Sequence, residues 1–261
     1  MPSLVPVTTT RIGEHLPLLD LLPNDAPLSW VRNGEGLVGW GVHATTTVSG
    51  KDRFEKARDW WHRQLETLAI SDSVHASGTG PVLFTSFSFD RNDESVLVIP
   101  KVIVGQKGLQ SWITWIGETP QPLLPESPSQ TSPTTFAFTD GSITTDAWKE
   151  RVAQAITRIE KTGVDKVVLA RDLIATTSID IDARPILKKL AAEYPSTWTF
   201  AVDGLVGATP ELLLRLSKGM VTSRVLAGTI PKTGDDAKDL ALAASLARSS
   251  KDLEEHEYAA V

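Results

Sequence analysis

Three places in this chain put ionisable groups where chemistry could use them. Lys166 stands at the head of the apolar run Lys166-Val-Val-Leu-Ala-Arg171. In a strand, alternate side chains share a face, which sets Lys166 with Val168 and Ala170, and Arg171 with Val167 and Leu169. One reading is a strand-end lysine whose ammonium snorkels to water. The other is a desolvated lysine whose lowered pKa lets it act as a base. Glu211 follows Thr209-Pro210 and opens Leu212-Leu213-Leu214. It is either a surface carboxylate paired with Arg215 or a partly buried acid with a raised pKa, able to donate a proton. Glu254-Glu255-His256-Glu257 is either a solvated helix face or a place where one carboxylate turns inward onto a hard cation. Mg²⁺ typically takes one or two carboxylates and completes its shell with waters and substrate oxygens.

Other kinds of site are excluded by what the sequence lacks. There is no cysteine, which removes disulfides, thiolate metal sites and a cysteine nucleophile, and agrees with a reducing compartment. His15, His43, His62, His75 and His256 show no metal-ligand spacing, and no G-x-S-x-G elbow is present. Gly228-Thr-Ile-Pro-Lys-Thr-Gly234 has the wrong spacing for a phosphate loop, and Asp235 follows where lysine is required. A net charge of −6 without any basic run argues against nucleic acid as a partner. The first residues lack the basic and apolar regions of a signal peptide, and no apolar run reaches the length of a membrane span. The chain reads as a soluble cytoplasmic protein.

The elements that would position these groups follow from pattern. Residues 28–41 read as two strands around Asn33-Gly34, a strong hairpin signal. Ser49 and Asp52 form a capping-box pattern opening a helix to about Ala69, with Phe54, Ala57, Trp61, Leu65 and Leu68 on one core-facing stripe. Residues 81–89, 95–104 and 110–116 have strand length and apolarity. Residues 118–135 are rich in Pro, Ser and Thr and read as a loop or linker.

Thr144 or Thr145 then caps a helix whose Trp148, Val152, Ile156 and Ile159 form the buried face, and Gly163 stops it before the Lys166 strand. Asp182 caps another helix, with Pro185 in its first turn. Three strands succeed one another at 197–202, 205–216 (broken at Ala208-Thr209-Pro210) and 219–226, with connections short enough for antiparallel pairing. A helix covers 235–248, and Ser249 with Asp252 opens a last one. No Gly, Pro or basic last turn precedes Val261, so the chain reads as C-terminally truncated.

Four stretches in this order and spacing, Lys166-Val-Val-Leu-Ala-Arg171, Gly207-Ala-Thr-Pro-Glu-Leu-Leu213, Leu226-Ala-Gly-Thr229 and Ser250-Lys-Asp-Leu-Glu-Glu-His256, resemble the chorismate-utilising enzymes. The resemblance is strongest to isochorismate synthase, over residues 140–261. The segments 28–41 and 81–100 resemble the bacterial menaquinone-type enzymes.

The resemblance implies an α+β fold of stacked antiparallel sheets with outer helices, incomplete here. Residues 1–117 would be an N-terminal α+β scaffold half, 118–135 a loop or linker, and 136–261 the first part of the chorismate-binding catalytic region. It implies that Lys166 is the general base activating water against C2 of chorismate. Glu211 would be the general acid protonating the departing C4 hydroxyl, and Glu255 one of two glutamates holding Mg²⁺. Gly228 and Thr229 would contact substrate. The second metal glutamate would lie beyond Val261, so this chain would hold part of a site. Anthranilate synthases usually carry Gln at the place of Lys166, and aminodeoxychorismate synthases usually carry Lys at that of Ala227. Both differences point to isochorismate synthase, in menaquinone or siderophore biosynthesis. The alternatives are salicylate synthase and a non-catalytic truncated remnant. No nucleic acid or membrane partner is expected, and the full-length form is expected to be a monomer.

Overall fold

In a computed structural model of the chain, the described residues are 3–13, 15–118, 133, 135–164, 167–224, 226, 230–249, 253 and 257. The elements begin with β1 (Val5–Arg11), a 3₁₀ turn (Leu18–Leu21), β2 (Leu28–Arg32), β3 (Glu35–Val48), α1 (Arg53–Leu65), β4 (Leu68–Asp72), β5 (Phe84–Ser86), β6 (Ser95–Lys107) and β7 (Gln110–Ile116). They continue with β8 (Ala137–Asp140), α2 (Thr145–Thr162), β9 (Leu173–Thr176), α3 (Ala183–Glu193), β10 (Trp198–Val202), β11 (Leu205–Thr209), β12 (Leu212–Ser217), β13 (Met220–Arg224) and α4 (Asp236–Arg248). The fold is α+β, with a large, mainly antiparallel sheet and few helices. Two units separate: residues 1–128 with 186–261, and residues 129–185.

The first unit is built on a nine-stranded sheet in the order β11-β10-β2-β3-β6-β7-β1-β4, with β5 also pairing β6. Asn33 and Gly34 take φ of 52° and 75°, as a two-residue hairpin turn requires, and set the β2–β3 register at Arg32↔Glu35. The centre of the sheet reads as almost continuous apolar sequence because both its faces are covered. Val38, Ile103, Val104 and Ile113 are fully buried there. Val7, Leu68, Ile99 and Ile116 form one core cluster, against which Trp60, Trp61 and Leu65 of α1 pack. Gly105 leaves room for the Trp112 ring, which lies across its Cα, is 1% exposed and donates from Nε1 to the Gly78 carbonyl at 3.2 Å. Gln106, also buried, ties the N-terminal arm to the sheet. Its Nε2 meets the Gly34 carbonyl and His15 Nδ1, each at 3.0 Å, and its Oε1 accepts from Leu16 N and Ser111 Oγ.

β12 and β13 pair only with each other among the described residues and form a second, two-stranded sheet. Leu213 is 88% exposed and Met220 70%.

The 129–185 unit pairs β8 with β9 antiparallel. Asp172 accepts from the backbone N–H and hydroxyl of Ser142, and Arg171 pairs with Asp140 at 2.5 Å. The Ser142 hydrogen bonds hold the Asp172 carboxyl below its ordinary pKa. Asp182 and Arg184 form a buried two-pronged ion pair, and Asp182 also accepts from the Arg184 backbone N–H as it caps α3.

The structure departs from the sequence reading in four places. The helix that pattern carried to Ala69 ends at Leu65, and residues 68–72 form β4, an edge strand paired parallel to β1. Backbone pairing with β1, itself hidden in sequence by Pro6, overrides the helical stripe there. The Ser49-to-Asp52 capping box is not made, because Asp52 pairs with Lys56 instead. The stripe on α2 is oriented as expected, but Trp148, Val152 and Ile159 are only half-buried and Ile156 is exposed. Residues 167–172 carry no strand, and Val168 is 82% exposed. An apolar run becomes a buried strand only when it finds a ladder partner and a face to cover, and the described residues supply neither.

Candidate active site

Glu211 is the member of the expected site that the structure describes. It stands at the crossing between two sheets, with β11 pairing β10 in the large sheet and β12 pairing β13 in the small one. Pro210 has no N–H to give to a ladder, so a strand breaks readily at it. The break is held by Thr209, whose Oγ1 accepts the Glu211 backbone N–H at 3.1 Å. The carboxylate is thus carried on a fixed turn and is exposed. No ion pair joins it to Arg215, and it is exposed rather than partly buried, so neither the paired nor the buried reading of Glu211 is met. Sequence reasoning marked Glu211 and the break. It missed the hydroxyl that locks the turn, although a Thr two residues before a backbone donor is a recognised turn pattern.

Lys166, Gly228, Thr229 and Glu255 lie outside the described residues. On the N-terminal side of Lys166, α2 is capped by Thr144, whose Oγ1 accepts from Ala147 N at 3.2 Å, and it ends at Gly163 with φ 67°. That left-handed C-cap is the stop read from sequence. On the C-terminal side of Gly228 and Thr229, Asp239 gathers the Thr233 backbone N–H and hydroxyl at 2.7 and 2.8 Å and the Gly234 N–H at 3.3 Å. Those bonds, led by the Thr233 N–H, hold the Asp239 carboxyl below its ordinary value. They thereby occupy the Thr233 and Gly234 N–H groups. Asp235 caps α4 by accepting from Ala237 N and Lys238 N. Among the described residues, no group of three or more His, Asp or Glu side chains could hold a metal ion. None of their helices is long and apolar enough to cross a membrane.

The arrangement offers an exposed carboxyl group on a turn held by the Thr209 hydroxyl, where the chain passes from the large sheet to the small one. Comparison with known proteins adds what geometry alone does not. The family described as chorismate binding enzyme matches residues 28–260. Isochorismate synthase MenF of Bacillus subtilis is 26% identical over 257 residues, spanning 85% of this chain and 54% of that protein. Isochorismate synthase EntC of Escherichia coli K12 is 38% identical over 115 residues, 42% of this chain and 29% of that protein. Among solved structures, DhbC of Bacillus anthracis aligns over 92% of this chain and 59% of its own, at 25% identity and a TM-score of 0.67. MenF of Escherichia coli aligns over 97% and 61%, with a TM-score of 0.73; at 17% identity it speaks for the fold. The chain spans about half the length of the curated relatives that it matches.

Proposed function

The chain belongs to the chorismate-binding enzyme family, and from that premise we propose that the protein carrying it is an isochorismate synthase. The reaction is the isomerisation of chorismate. Water adds at C2, the ring double bonds shift, and the C4 hydroxyl departs as water, so that atoms balance with no other reactant. Lys166 takes the proton from the attacking water, and Glu211 delivers one to the leaving hydroxyl. A free lysine near pKa 10.4 is almost wholly protonated at neutral pH, so this role requires burial or a nearby cation to lower it. An acid and a base whose pKa values are pushed apart in one site is how such pairs work. Gly228 and Thr229 contact the substrate.

Mg²⁺ is assigned to Glu255, a hard oxygen donor of the kind that this ion selects. When bound, it supplies positive charge at the ring carboxylate. The observation that carries the reading is the turn Thr209-Pro210-Glu211 within the second ordered family motif, held by the Thr209 hydroxyl, which presents Glu211 with no cation partner among the described residues. Lys at 166, where anthranilate synthases usually carry Gln, favours water as the nucleophile.

The test is chorismate with Mg²⁺ and purified protein, with products separated by chromatography. Isochorismate should form, and Lys166→Gln should abolish its formation while leaving chorismate binding in place. Turnover by Lys166→Gln at the parental rate would remove Lys166 as the base. Release of pyruvate with salicylate would move the protein to salicylate synthase.

A further inference from the structure

Among the described residues the large sheet ends on β11 at one side and on β4 at the other. β11 runs into Glu211 and belongs with the proposed site; β4 does not. Its parallel register with β1 is unbroken from Val5↔Leu68 to Thr9↔Asp72. The Val5 N–H donates to the Thr67 carbonyl, and the Ser73 N–H donates to that of Thr9. In such a ladder alternate residues carry the bonds, so Thr67, Ala69, Ser71 and Ser73 turn their backbone groups toward β1. The N–H and C=O groups of Leu68, Ile70 and Asp72 point the other way, and no strand pairs with them among the described residues.

Open edges are usually blunted by lysine, proline, a bulge or an inward-pointing charge. Thr67-Leu-Ala-Ile-Ser71 has none of these. The charge that ends the strand is drawn back into the following turn, where the Asp72 carboxylate accepts from Val74 N at 2.8 Å, His75 N at 3.1 Å and Thr79 Oγ1 at 2.5 Å. Ile70, at the middle of the edge, shares a face with Val7 and Leu68. Those two are buried, whereas Ile70 is 51% exposed. The strand is also complementary to itself. Antiparallel pairing centred on Ile70 sets Ile70 against Ile70 of a second copy, Leu68 against its Asp72, and Ala69 against its Ser71. Every outward backbone group then meets one of the other copy, the two Ile70 side chains cover each other on one face, and the small Ala69 and Ser71 fit on the other. Glu66 precedes the strand and His75 follows it, so the same pairing brings an acid and an imidazole to each end.

We propose that β4 is a dimer edge, pairing antiparallel with β4 of a second copy of this chain about a two-fold axis at Ile70. Such an interface is isologous and closes on itself. It differs from the monomer expected of the full-length form, and its test reads association alone, whatever the outcome of the chorismate assay.

Sedimentation equilibrium of the intact protein from about 1 to 200 µM should show the mass doubling. Ile70→Lys opposes two like charges at the axis and should weaken the dimer at least tenfold; melting of dilute protein will show that this half-exposed position leaves the fold intact. The chain has no cysteine, so Ile70→Cys supplies a single thiol. Opposed residues in a hydrogen-bonded antiparallel pair have Cα atoms about 5.5 Å apart, within disulfide reach. Mild oxidation should cross-link this variant at least tenfold more than Leu109→Cys, whose position on the β6–β7 turn is 86% exposed. The amides of Leu68, Ile70 and Asp72 should exchange at least tenfold more slowly in concentrated than in dilute protein. A monomer at every concentration, which would leave the edge to a strand of some other protein, would overturn the proposal. So would Ile70→Lys associating as the parent does, equal cross-linking of the two cysteine variants, or exchange at these amides that ignores concentration.

Discussion

Gly105→Ala tests the packing on which the large sheet depends. A Cβ built on Gly105 falls 2.3 Å from both Cε2 and Cζ2 of Trp112 and 2.6 Å from its Nε1. Carbon atoms prefer to sit about 3.5–4.0 Å apart, so the ring must retreat by more than about 1 Å. It has nowhere to go without loss, being 1% exposed and bonded to the Gly78 carbonyl. Overpacking of this kind costs about 1–3 kcal/mol. Breaking the Nε1–Gly78 bond adds about 1 kcal/mol. The expected destabilisation is therefore about 2–4 kcal/mol, which with an m-value of about 1–3 kcal/mol/M lowers the urea midpoint by about 1 M or more.

Urea titrations followed by far-ultraviolet circular dichroism and by fluorescence give this quantity. Trp112→Leu supplies the second arm of a double-mutant cycle. With the ring gone, adding Ala at 105 should cost less than about 1 kcal/mol, so the two changes couple strongly. A Gly105→Ala unfolding free energy within about 0.5 kcal/mol of the parent, the range of an ordinary surface change, would refute the packing argument.

Two further outcomes follow from charge and from the turn. Burial pushes the Asp72 carboxyl up, but hydrogen bonds from Thr79 Oγ1, Val74 N and His75 N together outweigh it and leave the pKa below its ordinary value. A depressed carboxyl contributes stability that is present above its unfolded pKa and is lost as pH falls through the folded one. Asp72→Asn should therefore melt lower than the parent above about pH 4, with the gap closing on further acidification; a gap that persists in strong acid would contradict this assignment. Glu211→Gln keeps the side chain's shape and loses its proton, so kcat should fall by about a hundredfold or more, and an unchanged kcat would return Glu211 to a surface role.

Much of the fold was legible because local chemistry and tertiary structure agree. Asn33-Gly34 demanded a hairpin, Gly163 a helix stop and Pro210 a strand break, and each is where the sequence placed it. The misses occur where a distant partner decides. β1 exists through pairing with β4 and β7, and β4 through pairing with β1, and neither has a sufficient signal of its own. Val167 and Val168 have strand-forming side chains without a described neighbour to make them a strand. For the proposed site, residue types in ordered motifs were what pointed to Glu211. The Thr209 hydroxyl was not found that way, because a turn lock joins groups whose approach only the fold creates.

The central claim is that water becomes the C2 hydroxyl of the product, so the decisive measurement is isotopic. The protein is incubated with chorismate and Mg²⁺ in H₂¹⁸O, and the isochorismate formed is isolated and analysed by mass spectrometry. The account predicts one ¹⁸O per molecule, located at C2. Isochorismate that carries no label would contradict it, because the hydroxyl would then have moved within the molecule and Lys166 would have no water to activate.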